Sequence, residues 1–282
     1  MSRFVPPGLG WHRDLPDLRD YSPTHPNVVE MLRPLKHRRA VRKSRPSQVD
    51  LREFCLPVED QQTLHSSTAH ACVGLVQYFE RRAHGKILEP SRLFLYKTSR
   101  LLWHRTGDIG ANLRTTLKAM LRFGIPPEQY WPYEIARFDD EPGPFLYSFR
   151  EDFQAIRYVR LDARNSTGRE TLELVKSYLA AGFPSMFGFP VPSSLSLDAD
   201  IPYRPLFDSV RGGQAVVAVG YDDNRIRSTK GALLIRNSWG QSWGDNGYGW
   251  LPYAYVEEQQ VADFWTLVKP DWFQSREFEG LR

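Results

Sequence analysis

Three side chains close together in the sequence, His65, Ser67 and His70, could carry nucleophilic chemistry. A serine hydroxyl attacks only when a neighbouring general base takes its proton, and histidine is the usual base. His65 lies two residues before Ser67 and could project into a cleft in front of it. His70 lies three residues beyond, on the same face if the segment is helical. On the residues alone a packing role outweighs both. Ser67 reads as a helix N-terminal serine that caps or packs, and His70 as a satisfied core histidine. A Ser67–His65 dyad, serving a serine-dependent hydrolase or acyl transferase, stays open as the catalytic alternative. No His, Cys or carboxylate set has metal-ligand spacing, and no glycine-rich phosphate loop is present, so no cofactor is expected.

Positioning these groups falls to a helix. From Ser66 to about Glu80 the apolar residues Ala69, Ala71, Cys72, Leu75, Val76 and Phe79 recur at three and four, which buries one helical face, with Ser66 as N-cap. Two more helical stretches follow, about Gly110–Phe123 stopped by Gly124 and about Arg169–Ala181 stopped by Gly182. The texture then changes to short apolar runs, Ser185–Pro190, Gln214–Tyr221, Gly231–Asn237 and Gly247–Tyr253, that suit strands of a mostly antiparallel sheet. Asp222-Asp223-Asn224 supplies a turn. Helices first and strands afterwards imply an α+β fold.

The 282 residues can bury a full core. Net charge is +4, from 37 basic and 33 acidic residues. Seven positives between Arg33 and Arg45 stand with no acid among them, and setting them aside leaves 30 basic residues against 33 acidic. Residues 1–45, proline-rich and charged, read as an extended arm with a basic linker, and 46–282 as the folded domain, with a helical lobe at about 60–135 and a β-rich lobe at about 150–268. The basic stretch 33–45 reads as a solvated linker that could dock on an acidic partner. Neither nucleic acid nor membrane is an expected partner, because basic residues are not interleaved with aromatic platforms and no apolar run spans a bilayer. Two cysteines, Cys55 and Cys72, are too few for a secreted disulfide scaffold. With no signal-like N-terminus, a cytoplasmic location is expected.

Several motifs in register resemble the papain family of cysteine peptidases, especially its compact prokaryotic-type members. Gly10-Trp11-His12-Arg13-Asp14-Leu15-Pro16-Asp17-Leu18-Arg19-Asp20-Tyr21 is similar to their opening G-W-x-x-D-L-P-D-x-R-D-Y. Gln61–Ala71 reads like Q-G-x-L-G-S-C-T-A-x-A, Gly212–Val216 like G-G-H-A-V, and Asn237-Ser238-Trp239-Gly240 opens the most specific stretch. The resemblance implies a two-lobed fold, a helical lobe led by the Ser67 helix facing an antiparallel β-barrel-like lobe that carries Gln214 and Asn237. The cleft between them would hold an extended peptide. It also implies roles: Gln61 at the oxyanion-donor position, Asn237 at the position that orients the base, and His65, Gln62, Ser66, Gly213 and Trp239 around the cleft.

Two positions depart from the pattern. Serine stands at the nucleophile position, Ser67, and glutamine at the base position, Gln214. A cysteine thiol, with a free pKa of about 8.5, can be drawn down to thiolate by a helix N-terminus and a cation. A serine hydroxyl cannot. A glutamine amide has no nitrogen lone pair that accepts a proton near neutral pH. Losing nucleophile or base from such a unit costs on the order of 10⁶ in turnover. The expectation is a pseudopeptidase that binds a peptide or protein partner in the remnant cleft. Gln62 and His65, at positions where that family has glycine, should narrow the approach to Ser67.

Overall fold

The computed structural model describes residues 4–6, 8–32, 45–225 and 231–273. The expected helices form. The longest, α2 (Ser67–His84), follows β1 (Trp11–His12), α1 (Pro26–Met31) and β2 (Gln48–Asp50). Its periodic apolar face is buried throughout, and Gly85 at φ 65° ends it in the left-handed conformation that a residue without Cβ adopts without strain. Ser66 is the N-cap residue, but its side chain makes no capping hydrogen bond.

α3 (Arg92–Leu102), which the apolar periodicity did not announce, is capped by Ser91 Oγ accepting from the Phe94 N–H. β3 (Ala111–Asn112) leads into α4 (Leu113–Phe123), which starts three residues later than its pattern suggested because Asn112 provides the cap. These helices form one lobe.

The other lobe is a sheet of β2, β4 (Arg157–Arg160), β5 (Ser185–Pro192), β6 (Val210–Asp222), β7 (Ala232–Arg236), β8 (Tyr248–Pro252) and β9 (Ala262–Val268). Its order is β4-β9-β5-β6-β7-β8, with β2 added to β6, and every pair is antiparallel. The path does not return on itself, so the barrel-like lobe is an open sheet. Gly168–Ala180 is helix α5 of this lobe, opened by a capping box between Thr167 and Glu170.

The arm is only partly a linker. Val28 of α1 is buried and Arg45 pairs with Glu173 at 2.7 Å, whereas residues 33–44, which carry most of the basic stretch, lie outside the described residues. Cys55 and Cys72 are free thiols.

Both lobes share one apolar core, because α2 lies between α3, α4 and the sheet strands β5 and β6. Phe79, wholly buried on α2, stacks on Trp272 with ring centroids 4.6 Å apart. Phe79→Ala should therefore lower stability by about 3–5 kcal/mol in denaturant unfolding, the range for deleting a buried aromatic ring.

Candidate functional site

Where the helical lobe meets the sheet, α2 presents its first residue to the middle of β6. Ser67 is fully buried, and its Oγ accepts the Ala215 N–H at 3.2 Å. Among the described residues no basic side chain is hydrogen-bonded to that hydroxyl. Next to it on β6, Gln214 Nε2 donates to Gln61 Oε1 and to Asn237 Oδ1, each at 2.9 Å. The Ser238 hydroxyl donates to the same Gln61 oxygen at 2.6 Å, and the Ser238 N–H donates to Asn237 Oδ1 at 2.9 Å. Gln61, Gln214, Asn237 and Ser238 thus form a buried network of neutral groups. Gln61, Ser67, Gln214 and Asn237, separated by up to 176 residues in sequence, come together where α2 meets β6.

Gln61 faces two ways. Its Oε1 accepts from the network, and its Nε2 donates outward to the Leu9 carbonyl at 2.9 Å and to the Leu64 carbonyl at 2.8 Å. The Ser67 main-chain N–H also points at the Leu9 carbonyl, at 3.4 Å. Two donors aimed at one carbonyl oxygen is the arrangement that stabilises a developing oxyanion. Here the oxygen belongs to the protein's own N-terminal segment.

That segment bonds to both lobes. Trp239 Nε1 donates to the Gly8 carbonyl at 3.0 Å, the Gly10 N–H donates to the Gly213 carbonyl at 3.0 Å, and the Ala111 N–H donates to the Gly10 carbonyl at 2.9 Å. β1 then continues parallel to β3. Beyond it the chain is pinned by acids: the Trp11 indole N–H and the Asp14 N–H both donate to Asp263 Oδ2, at 3.1 and 2.8 Å. The Asp14 carboxylate accepts from the Trp265 indole N–H and the Arg114 main-chain N–H. Burial holds both carboxyls above their ordinary range, with the Asp263 charge adding to the effect on Asp14.

Around the cleft, His65 is not directed at Ser67. Its Nδ1 lies 2.9 Å from Asp108 Oδ2 and its N–H donates to Asp108 Oδ1 at 2.8 Å, and the hydrogen bond to Asp108 raises the His65 pKa. Tyr96 OH donates to the same carboxylate at 2.6 Å. His70 is buried, with Nδ1 3.1 Å from the Ser66 carbonyl and its ring edge-on to Tyr133, while its Nε2 has no hydrogen-bond partner. Ser66 Oγ pairs with Tyr133 OH at 2.6 Å, and that hydroxyl donates to the Gln61 carbonyl at 2.8 Å.

Gln62 keeps a glycine-like backbone, φ 52°, supported by its N–H donating to Asp60 Oδ1, and its side chain is exposed. Residue types alone did not mark Tyr133, Ser238, Asp108 or the occupying residues 8–12 as part of the site. The spacing of Gly8 and Gly10 around Leu9 was the one available signal for the occupant. Among the described residues no cluster of three or more His, Cys, Asp or Glu could hold a metal, and no helix is long and apolar enough to cross a membrane.

Residues 45–264 match the family described as papain family cysteine protease. An uncharacterized peptidase C1-like protein of Acanthamoeba polyphaga mimivirus is 34% identical over 217 residues, covering 74% of this chain and 68% of that one. Xylellain, a cysteine protease from Xylella fastidiosa, superposes with a TM-score of 0.76 at 31% identity, covering 95% of this chain and 98% of that one. Procathepsin B from Trypanosoma congolense shares the fold at a TM-score of 0.63 and 18% identity, covering 93% of this chain and 86% of that one.

Burial pushes the His70 pKa from 6.5 down to about 4. A depressed folded-state value means that stability tied to this imidazole is present above 6.5 and is lost as pH falls from there toward about 4. His70→Gln should flatten the fall in the urea midpoint across that window. An unchanged slope would place the acid sensitivity elsewhere.

Proposed function

Because the chain belongs to the papain family of cysteine proteases and carries Ser67 and Gln214 at the nucleophile and base positions, we propose that it is a non-catalytic member whose cleft holds an extended peptide without cutting it. The observation that carries this reading is the state of Gln214. Both hydrogens of its amide are engaged by Gln61 and Asn237, and neither its nitrogen nor its carbonyl oxygen is basic enough to take a proton from Ser67 near neutral pH. The Ser67 hydroxyl instead accepts a main-chain N–H. A carbonyl resting against oxyanion-type donors with neither thiolate nor base beside it is bound and not activated.

The groove's holding function is supported by what fills it. Five main-chain or side-chain donors and acceptors from both lobes engage residues 8–10, the kind of backbone recognition that binds an extended strand. A partner peptide would reach the same groups once residues 8–12 leave. The alternative that pairs Ser67 with His65 finds no support in geometry, since Asp108 holds the His65 ring.

The experiment compares the purified chain with its Ser67→Ala variant on a fluorogenic peptide library and with a fluorophosphonate probe. Equal background rates and no labelling at Ser67 are expected, in keeping with a penalty on the order of 10⁶ for losing a member of such a unit. Turnover or acylation that disappears in Ser67→Ala would overturn the proposal.

A further inference from the structure

Resting on the reading of the cleft as a peptide-holding groove, we infer that the groove selects one kind of peptide, an extended Gly-Xaa-Gly-Trp segment presented by a partner chain. The selectivity comes from how the walls meet residues 8–11. A Cβ at position 8 would stand 2.5 Å from the Leu64 carbonyl oxygen and 2.8 Å from that of Gln62, and a Cβ at position 10 would collide with the His65 carbonyl. Position 10 also has φ 121°, which side chains rarely adopt. Both obstacles are backbone, so they cannot swing aside as a side chain would. Only glycine passes at these two places.

Position 9 is less demanding, since its carbonyl provides the recognition and its side chain rests against Gly212. Position 11 is the anchor. The Trp11 ring fills the space where Gly188 and Gly213 lack side chains: a Cβ on Gly213 would stand 2.5 Å from the Trp11 carbonyl oxygen and 2.7 Å from its ring, and one on Gly188 would run into the indole. The indole N–H is satisfied by Asp263 Oδ2 at 3.1 Å. Glycines in the peptide face backbone in the wall, and glycines in the wall face the ring in the peptide. A smaller aromatic ring or an aliphatic side chain would leave the Asp263 carboxylate without this donor.

In the intact protein the resident segment competes at an effective concentration of about millimolar, the range for short tethers, so a free peptide gains access only when that segment is weakened. The test therefore uses full-length chains carrying Gly10→Val or Trp11→Ala, each checked for cooperative unfolding, with a fluorescent peptide of residues 4–14 and versions of it carrying Gly8→Val, Gly10→Val or Trp11→Ala. The parent peptide should bind either variant chain at least about tenfold more tightly than it binds the wild-type chain, and at least about tenfold more tightly than any altered peptide binds. Affinities within twofold across the four peptides, or no binding to either folded variant chain, would overturn the inference. Hydrolysis of the bound peptide would sink the non-catalytic reading instead, and the glycine and tryptophan dependence would still decide the selectivity.

Discussion

Two N–H groups, one from the main chain of Ser67 and one from the Gln61 amide, converge on a single point in the cleft, and that point has to hold an oxygen. Leaving a buried donor unpaired costs about 1–3 kcal/mol, so a chain that keeps the donors must supply an acceptor, whether water, substrate or itself. The Leu9 carbonyl meets that demand. Its capture fixes the path of residues 8–12, which in turn sets Trp11 against the glycine-bare wall of β5 and β6 and brings Asp14 to Asp263, Trp265 and the Arg114 main chain. Much of the N-terminal segment's structure follows from satisfying donors that the fold retains for geometric reasons.

The same demand shapes the buried network around Gln214. A glutamine amide can donate to Asn237 Oδ1, as an imidazole N–H would, and it adds a second donated bond to Gln61 Oε1. Such an amide donates twice without offering a basic nitrogen, because that nitrogen lends its lone pair to the carbonyl. An imidazolium beside a hydroxyl would also be a buried charge with no thiolate to pair with, an expensive arrangement in a site this enclosed. Serine with glutamine is neutral in both partners.

The sequence made much of this legible where a local rule acts alone. The α2 pattern was readable because three- and four-residue spacing marks a buried helical face, and the strands were readable because Gly and Asp punctuate short apolar runs. α3 was obscured by Lys97 and Arg100 within its span, and Arg100 is buried through hydrogen bonds to Asp139 and to main-chain carbonyls that no local pattern encodes. Gln61, Ser67, Gln214 and Asn237 could be named in advance since each sits in a motif. The Leu9 contact could not, because it joins residues 52 and 58 positions apart through a carbonyl that any residue possesses. The surroundings of His65 were hidden for a related reason, since only folding brings Asp108, 43 residues away, to its ring.

Gly10 ties the account together, because its two main-chain groups bond to different lobes. Its N–H goes to Gly213 on the sheet, and its carbonyl accepts from Ala111 beside the helices. The resident segment is therefore a strand stitched between the lobes as well as a plug in the groove. Removing it breaks a bond to each side at once, while the apolar core around α2 still joins the lobes. An incoming peptide that reproduced only the contacts to one lobe would leave the opposite wall with unpaired main-chain groups, whereas one that bridged both would pair them. Glycine suits the bridging position because a Cβ there would meet the His65 main chain and because its φ is 121°.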